Sequence, residues 1–113
     1  PEASWRAALD ALRRAVAFHP GFEEGGEGLA YALLVLAREG EALVGDLRYY
    51  ADEKAGAFAT PLAVAQLGAA LALYGDQGRA DALFARASAM ALAGEDDAGV
   101  WRDVDPAMGG EDF

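Results

Sequence analysis

The segment 60–75 most constrains what this chain can fold into, because it predicts a helix with apolar side chains on every face. Thr60 is a preferred N-cap residue, and Pro61 suits the first helical position, where its missing N–H costs nothing. The helix contains a single strongly polar side chain, Gln66, before Gly75 ends it. Since such a helix must be covered on all sides, other helices are expected to surround it.

Hydrophobic periodicity and capping signals predict four further helices. Helices two and four are apolar all round, whereas helices one, three and five have one apolar and one polar side. The five predicted spans are Trp5–Phe18, Gly28–Glu39, Glu41–Ala51, Thr60–Tyr74 and Asp76–Ala93. Ser4 is the predicted N-cap of the first helix, and Gly40 and Gly94 should follow the second and fifth. The even-numbered helices are therefore expected to form an inner layer.

An internal repeat with an offset of 35 positions supports these two layers. It aligns Leu36 with Leu71, Gly40 with Gly75, Asp46 with Asp81 and Tyr49 with Phe84. Each unit is an inner helix, a glycine and an outer helix, which is the pattern of stacked helical hairpins. The predicted fold class is all-α, with about five helices in stacked antiparallel hairpins.

Two architectures are built from such hairpins, an open solenoid of tetratricopeptide type and a closed α/α toroid. The second hairpin is similar to the tetratricopeptide consensus at six positions: Leu67, Gly68, Leu71, Ala80, Phe84 and Ala87. Gly68 is expected to leave room for Ala80 and Phe84 of the returning helix. Leu92 stands where that consensus has a closing proline.

The outer side of the fourth helix favours the toroid. In a solenoid that binds peptides, the equivalent positions carry polar and charged side chains. Here they are all apolar: Leu62, Ala65, Ala69, Ala72 and Leu73. We therefore expect a closed ring of hairpins, or a segment of one, in which the inner helices are buried on both sides.

The acidic residues are concentrated near the C-terminal end of the sequence. Residues 95–113 contain seven acidic side chains and one arginine, so they contribute −6 of the net charge of −10. The predicted organisation is a helical-hairpin domain over 1–94, a segment of a larger toroid, followed by an acidic, largely irregular tail over 95–113.

Composition excludes several classes of partner. The net charge of −10 repels phosphate backbones, so nucleic acid is not expected to bind. The longest apolar runs are shorter than the ~20 residues that span a bilayer, so membrane insertion is not expected. No cysteine is present for a disulfide or a zinc–thiolate site, and no cofactor or metal is expected.

A series of short motifs follows one order along residues 47–87. They are Leu47-Arg48-Tyr49, Asp52, Pro61-Leu62-Ala63, Ala65-Gln66-Leu67, Ala69–Leu73, Gly75-Asp76 and Arg79-Ala80. In this order they resemble the later helices of the thioester domain in bacterial alpha-2-macroglobulins. The resemblance extends over residues 27–93.

This resemblance implies a piece of a large periplasmic protease trap. In that family a cysteine and a glutamine near the start of the same domain form an internal thioester that acylates the attacking protease. Because this chain has no cysteine, no thioester residue corresponds to any position in it. The implied role is a non-catalytic part of the domain, whose partners are the rest of the parent polypeptide and, through it, proteases.

Few residues are candidates for a functional site. His19 is the only histidine, and it is interpreted as a helix-end residue that interacts with the last carbonyls. Tyr49 and Tyr50 are interpreted as structural, and Trp5 and Trp101 as anchors of the two terminal segments.

Carboxylates in the connecting segments are interpreted as solvated. Asp103 and Asp105 fit the first two ligand positions of a calcium-binding loop, but Ala107 occupies the third ligand position and Met108 the position of the glycine. The pairs Glu23-Glu24 and Asp96-Asp97 are expected to promote solubility, since neither lies where a general acid would have a raised pKa.

Three functional hypotheses follow from the sequence. The first is a non-catalytic scaffold segment of an alpha-2-macroglobulin-like protease inhibitor, with self-association through exposed apolar helix faces. The alternative is an independent tetratricopeptide-like module that binds proteins. An enzyme is third, because toroids host glycosidases but only Glu39 and Asp76 stand at the ends of the inner helices.

Overall fold

The computed structural model describes residues 2–18 and 23–104, and it defines the surroundings of the side chains of 3–16 and 25–94. These residues form five α-helices and two short 3-10 segments, with no strand in the described ranges. The α-helices are α1 (Glu2–Phe18), α2 (Glu27–Arg38), α3 (Val44–Glu53), α4 (Pro61–Leu73) and α5 (Gln77–Val104), and the 3-10 segments are Glu23–Gly26 and Ala55–Ala57. The predicted all-α class with five helices is confirmed.

Helices α2 and α4 lie at the centre of the fold and pack against each other. Helix α1 covers part of α2, whereas α3 and α5 both pack on α4. The largest side chains that are fully buried include Leu67 and Leu71 of α4 and Phe58, which precedes that helix. The central position predicted for the even-numbered helices is therefore observed. Their predicted burial on all sides is not, because Tyr31 of α2 and Leu62 and Leu73 of α4 are more than half exposed.

The ends of α4 follow the local signals in the sequence. The Thr60 hydroxyl oxygen accepts a hydrogen bond from the Ala63 backbone N–H at 3.1 Å, and Pro61 occupies the first turn. Gly75 has φ of 81°, in the left-handed region that favours glycine. The predicted cap and stop are therefore confirmed.

The repeat appears in the backbone at the ends of both inner helices. Gly40 and Gly75 have φ of 73° and 81°, respectively. The residue after each glycine donates its N–H to the carbonyl five positions earlier, which is the Schellman pattern. The two bonds are Glu41 N–H to the Leu36 carbonyl (2.8 Å) and Asp76 N–H to the Leu71 carbonyl (3.0 Å).

Gly68 allows α5 to approach α4 closely. A Cβ at this position would lie 3.0 Å from the Phe84 ring and 3.3 Å from the Leu83 Cβ. Ala80, on the same side of α5, is fully buried. The expected space for the returning helix is therefore present, as the tetratricopeptide-like spacing predicted.

Two predicted helix starts are wrong. Helix α1 begins at Glu2, so Ser4 lies inside it rather than at its N-cap; Ala3, before Ser4, has high helix propensity. Helix α3 begins at Val44 rather than Glu41. The Tyr74 hydroxyl accepts from the Ala42 N–H at 3.0 Å and donates to its carbonyl at 2.8 Å, which fixes this backbone outside a helix.

The predicted end of the fifth helix at Ala93 is also wrong. Helix α5 continues through Gly94 to Val104, so residues 95–104 are helical rather than irregular. Gly94 does not have the positive φ of a helix-ending glycine, and an interior glycine costs only about 1 kcal/mol relative to alanine. Residues 105–113 of the predicted tail lie outside the described residues.

Helix α3 does not fold back along α2 as a packed hairpin. It contacts α4 and α5 instead, and its single buried side chain is that of Leu47. Along the described part of the chain, no helix combines the length and apolar character needed to cross a membrane.

Candidate functional site

One side of α4 carries apolar side chains that remain partly exposed. We call this surface the α4 strip, and it consists of Leu62, Ala65, Gln66, Ala69 and Leu73. Leu62 and Leu73 are 54% and 55% exposed, whereas Ala65, Gln66 and Ala69 between them are half-buried. The spacing places all five on one side of the helix. The α4 strip therefore has the composition of a packing surface rather than of a hydrophilic groove.

Gln66 interrupts the α4 strip with an unsatisfied polar atom. Its Oε1 is buried and accepts no hydrogen bond from the part of the chain that the structure describes. A buried acceptor without a partner costs about 1–3 kcal/mol. Because this oxygen is buried, a group on the outer surface of α4 does not reach it.

Two carboxylates at the ends of α2 and α4 bind arginines of the preceding outer helix. Arg13 Nη1 lies 3.2 Å from Glu41 Oε1, and Arg48 Nε lies 2.9 Å from Asp76 Oδ2. Each pair spans 28 positions, so the 35-position repeat superimposes one on the other. We call these pairs the repeat ion pairs; they join each inner helix to the unit before it.

Further arginines extend both repeat ion pairs. Arg6 Nη1 lies 2.6 Å from Glu41 Oε2, and Arg79 contacts both Asp76 (3.0 Å) and Asp52 (2.6 Å). Hydrogen bonds from arginines, Arg6 to Glu41 and Arg79 to Asp52, hold the pKa of these two carboxyls below their ordinary values. The ionised form of these carboxylates is therefore stabilised, which is the opposite of what a proton donor near neutral pH requires.

The two carboxylates required by the glycosidase hypothesis are both engaged. A hydrogen bond from Arg48 lowers the pKa of Asp76, the reverse of the raised value that a general acid needs. Glu39 accepts a hydrogen bond from the indole N–H of Trp5 at 3.3 Å.

A groove separates α1 from α3, with α2 as its floor. We call it the α1–α3 groove; its volume is about 510 Å³. Its walls include Arg13 and Arg14 of α1 and Asp46 and Tyr49 of α3, and Leu33 belongs to its floor. It combines apolar surface with charges of both signs.

The structure places the predicted aromatic candidates in different settings. Tyr50 is half-buried; its ring lies 5.7 Å from that of Tyr49 and 5.9 Å, edge-on, from that of Phe58. Burial is the main cause that raises the pKa of the Tyr50 hydroxyl. Tyr49 and Trp5 are each 49% exposed, so neither is a core residue. Trp5 nevertheless ties α1 to the end of α2.

The other candidates lie largely outside the described side chains. His19 and the segment from Asp105 to Met108 are outside the described residues. Trp101, Asp103 and the pair Asp96-Asp97 belong to the helical backbone of α5, and Glu23-Glu24 to a 3-10 segment. Within the described ranges, no group of three or more histidine, cysteine or acidic side chains is placed to hold a metal ion.

Sequence reasoning missed the repeat ion pairs and the α1–α3 groove. The sequence could have predicted the repeat ion pairs, because the offset that aligns Gly40 with Gly75 also aligns Arg13 with Arg48. The sequence gives no indication of the α1–α3 groove, because the distance between the two helices that form its walls depends on how the helices pack.

Comparison with known proteins gave no match to any family model, curated protein or solved structure.

Proposed function

We propose that this chain is a non-catalytic helical scaffold that packs against further protein through the α4 strip. The observation that carries the proposal is the exposure of Leu62 and Leu73 by more than half on a helix that lies at the centre of the fold. Contiguous exposed apolar surface marks sites of protein contact.

The specific form of this proposal is a segment of an α/α toroid in an alpha-2-macroglobulin-like protease inhibitor of the periplasm. The resemblance of residues 27–93 motivates it, and the exposed flank of α4 supports it. In such a ring, the α4 strip would contact other helices of the same parent protein, and proteases would be partners of that protein.

A second candidate is an independent module of tetratricopeptide type. The fit of Phe84 against Gly68 favours it, since that contact follows the consensus spacing. In that case, the α4 strip would be the surface that binds a partner protein.

Light scattering and binding of a dye that fluoresces on apolar surfaces separate these candidates. We expect the toroid segment to self-associate and to bind the dye. The double variant Leu62→Ser/Leu73→Ser should lower the dye fluorescence and shift the scattering mass toward the 11.8-kDa monomer. Leu92→Ser is the matched control, because Leu92 is 61% exposed but lies on α5, outside the α4 strip. A monomer that binds no dye would contradict the toroid segment and favour the independent module.

A further inference from the structure

The α1–α3 groove lies between two successive outer helices. The repeat predicts that these two helices contact each other as α3 and α5 do. Outer helices α3 and α5 touch each other, and the contact between α1 and α3 is smaller still. About 510 Å³ of open space lies between them, above Leu33 and Leu36 of α2. This volume is in the range of ligand sites in proteins.

The opposite walls of the α1–α3 groove carry unpaired charges of opposite sign. Arg14 on α1 and Asp46 on α3 are both exposed, and neither side chain has a hydrogen-bond or ion-pair partner among the described residues. The other charges of the groove compensate one another, because Arg13 pairs with Asp10 at 3.0 Å and with Glu41 at 3.2 Å. Arg14 and Asp46 are therefore available to a ligand.

Apolar side chains lie between these two charges. Leu43 and Tyr49 line the groove and are 68% and 49% exposed, respectively. Val16 and the two α2 leucines add a buried apolar floor. A ligand complementary to this groove has an apolar centre with a cationic group on one side and an anionic group on the other.

We propose that the α1–α3 groove binds an extended peptide segment of a partner protein, in which one apolar side chain lies between one basic and one acidic side chain. The basic side chain pairs with Asp46, the acidic one with Arg14, and the apolar one contacts Leu43 and Tyr49. This site goes beyond the scaffold role and uses none of the α4 strip residues, so either proposal can fail without the other.

Selection from a displayed library of random heptapeptides tests the site. Wild-type protein should enrich peptides with an apolar residue between one acidic and one basic residue. Arg14→Glu leaves a carboxylate on each wall of the groove, so this variant should enrich peptides with two basic residues. Asp46→Lys leaves two cations, so it should enrich peptides with two acidic residues. Each single reversal should weaken binding of a synthesised wild-type-selected peptide by roughly two- to fivefold, as expected for exposed ion pairs.

Glu53→Lys is the control, because it makes the same change of charge on α3 outside the groove. It should retain the wild-type peptide preference. Circular dichroism and thermal unfolding establish that each variant is folded before selection. Absence of an enriched class, or an enriched class unaffected by both reversals, overturns the proposal. Sedimentation that shows a dimer weakened by either reversal also overturns it, since the occupant would then be a second copy of this chain.

Discussion

At the residue scale, Gly68 shows how a missing side chain sets the separation of two helices. It lies in the middle of α4, where glycine costs about 1 kcal/mol of helix propensity relative to alanine. That cost is offset by the approach of α5, whose Phe84 and Leu83 occupy the space that a Cβ would need. The close packing of α4 and α5 therefore depends on this glycine.

We predict that Gly68→Ala destabilises the protein by about 1 kcal/mol, because overpacking of about 1–3 kcal/mol exceeds the gain in helix propensity. Phe84 is 37% exposed and its ring can move outward, which keeps the cost near the lower end. Gly94→Ala is the control; nothing lies within 4 Å of its Cβ position, so it should stabilise by up to about 1 kcal/mol. Urea unfolding of both variants measures the difference, and equal effects would show that the contact at Gly68 is unimportant.

At the element scale, the two inner helices end by the same mechanism. Gly40 and Gly75 occupy corresponding positions of the repeat and share the left-handed backbone. Beyond each glycine, an acidic residue joins a repeat ion pair. At the end of each inner helix, a glycine therefore terminates the helix and the acidic residue after it binds an arginine of the preceding unit.

We predict that Gly75→Ala lowers the free energy of unfolding by about 1 kcal/mol, because L-residues with a Cβ are strained at positive φ. No atom lies within 4 Å of its Cβ position, so backbone strain is the only expected cause. Gly75→Asn should cost less, since asparagine tolerates this conformation. Denaturant titration of both variants compares them. A larger loss for asparagine than for alanine would contradict the strain mechanism.

At the scale of the whole molecule, the ion pairs between helices make stability depend on pH. Hydrogen bonds from arginines lower the pKa of Glu41, Asp52 and Asp76 in the folded protein. A carboxyl with a lowered folded pKa stabilises the fold above its unfolded pKa of about 4. This contribution decreases as pH falls through the folded values.

We predict that the melting temperature decreases as the pH is lowered from about 5 toward 2, because the unfolded state binds protons before the folded state does. Relief of repulsion among the other acidic residues acts in the opposite direction, so the comparison with Asp76→Asn isolates the effect of the ion pairs. This variant should be less stable than wild type at neutral pH and should approach it in acid. A constant difference across the range would mean that Asp76 does not stabilise the fold through its charge.

The amino-acid sequence by itself determined the features that depend on neighbouring residues. Thr60 and Pro61 start α4, and Gly40 and Gly75 end the inner helices. Each of these effects arises from backbone conformation or hydrogen bonds within a few positions. Such features can be predicted because the groups involved are always close together.

Only the tertiary structure decided the features that join distant parts of the chain. Hydrogen bonds between the Tyr74 hydroxyl and the backbone of Ala42, 32 positions earlier, keep Ala42 outside α3, so the helix begins later in the chain than predicted. The α1–α3 groove exists because α3 packs mainly on α4 and has less contact with α1. These contacts depend on the relative placement of whole helices, and many placements satisfy the same pattern of apolar and polar residues.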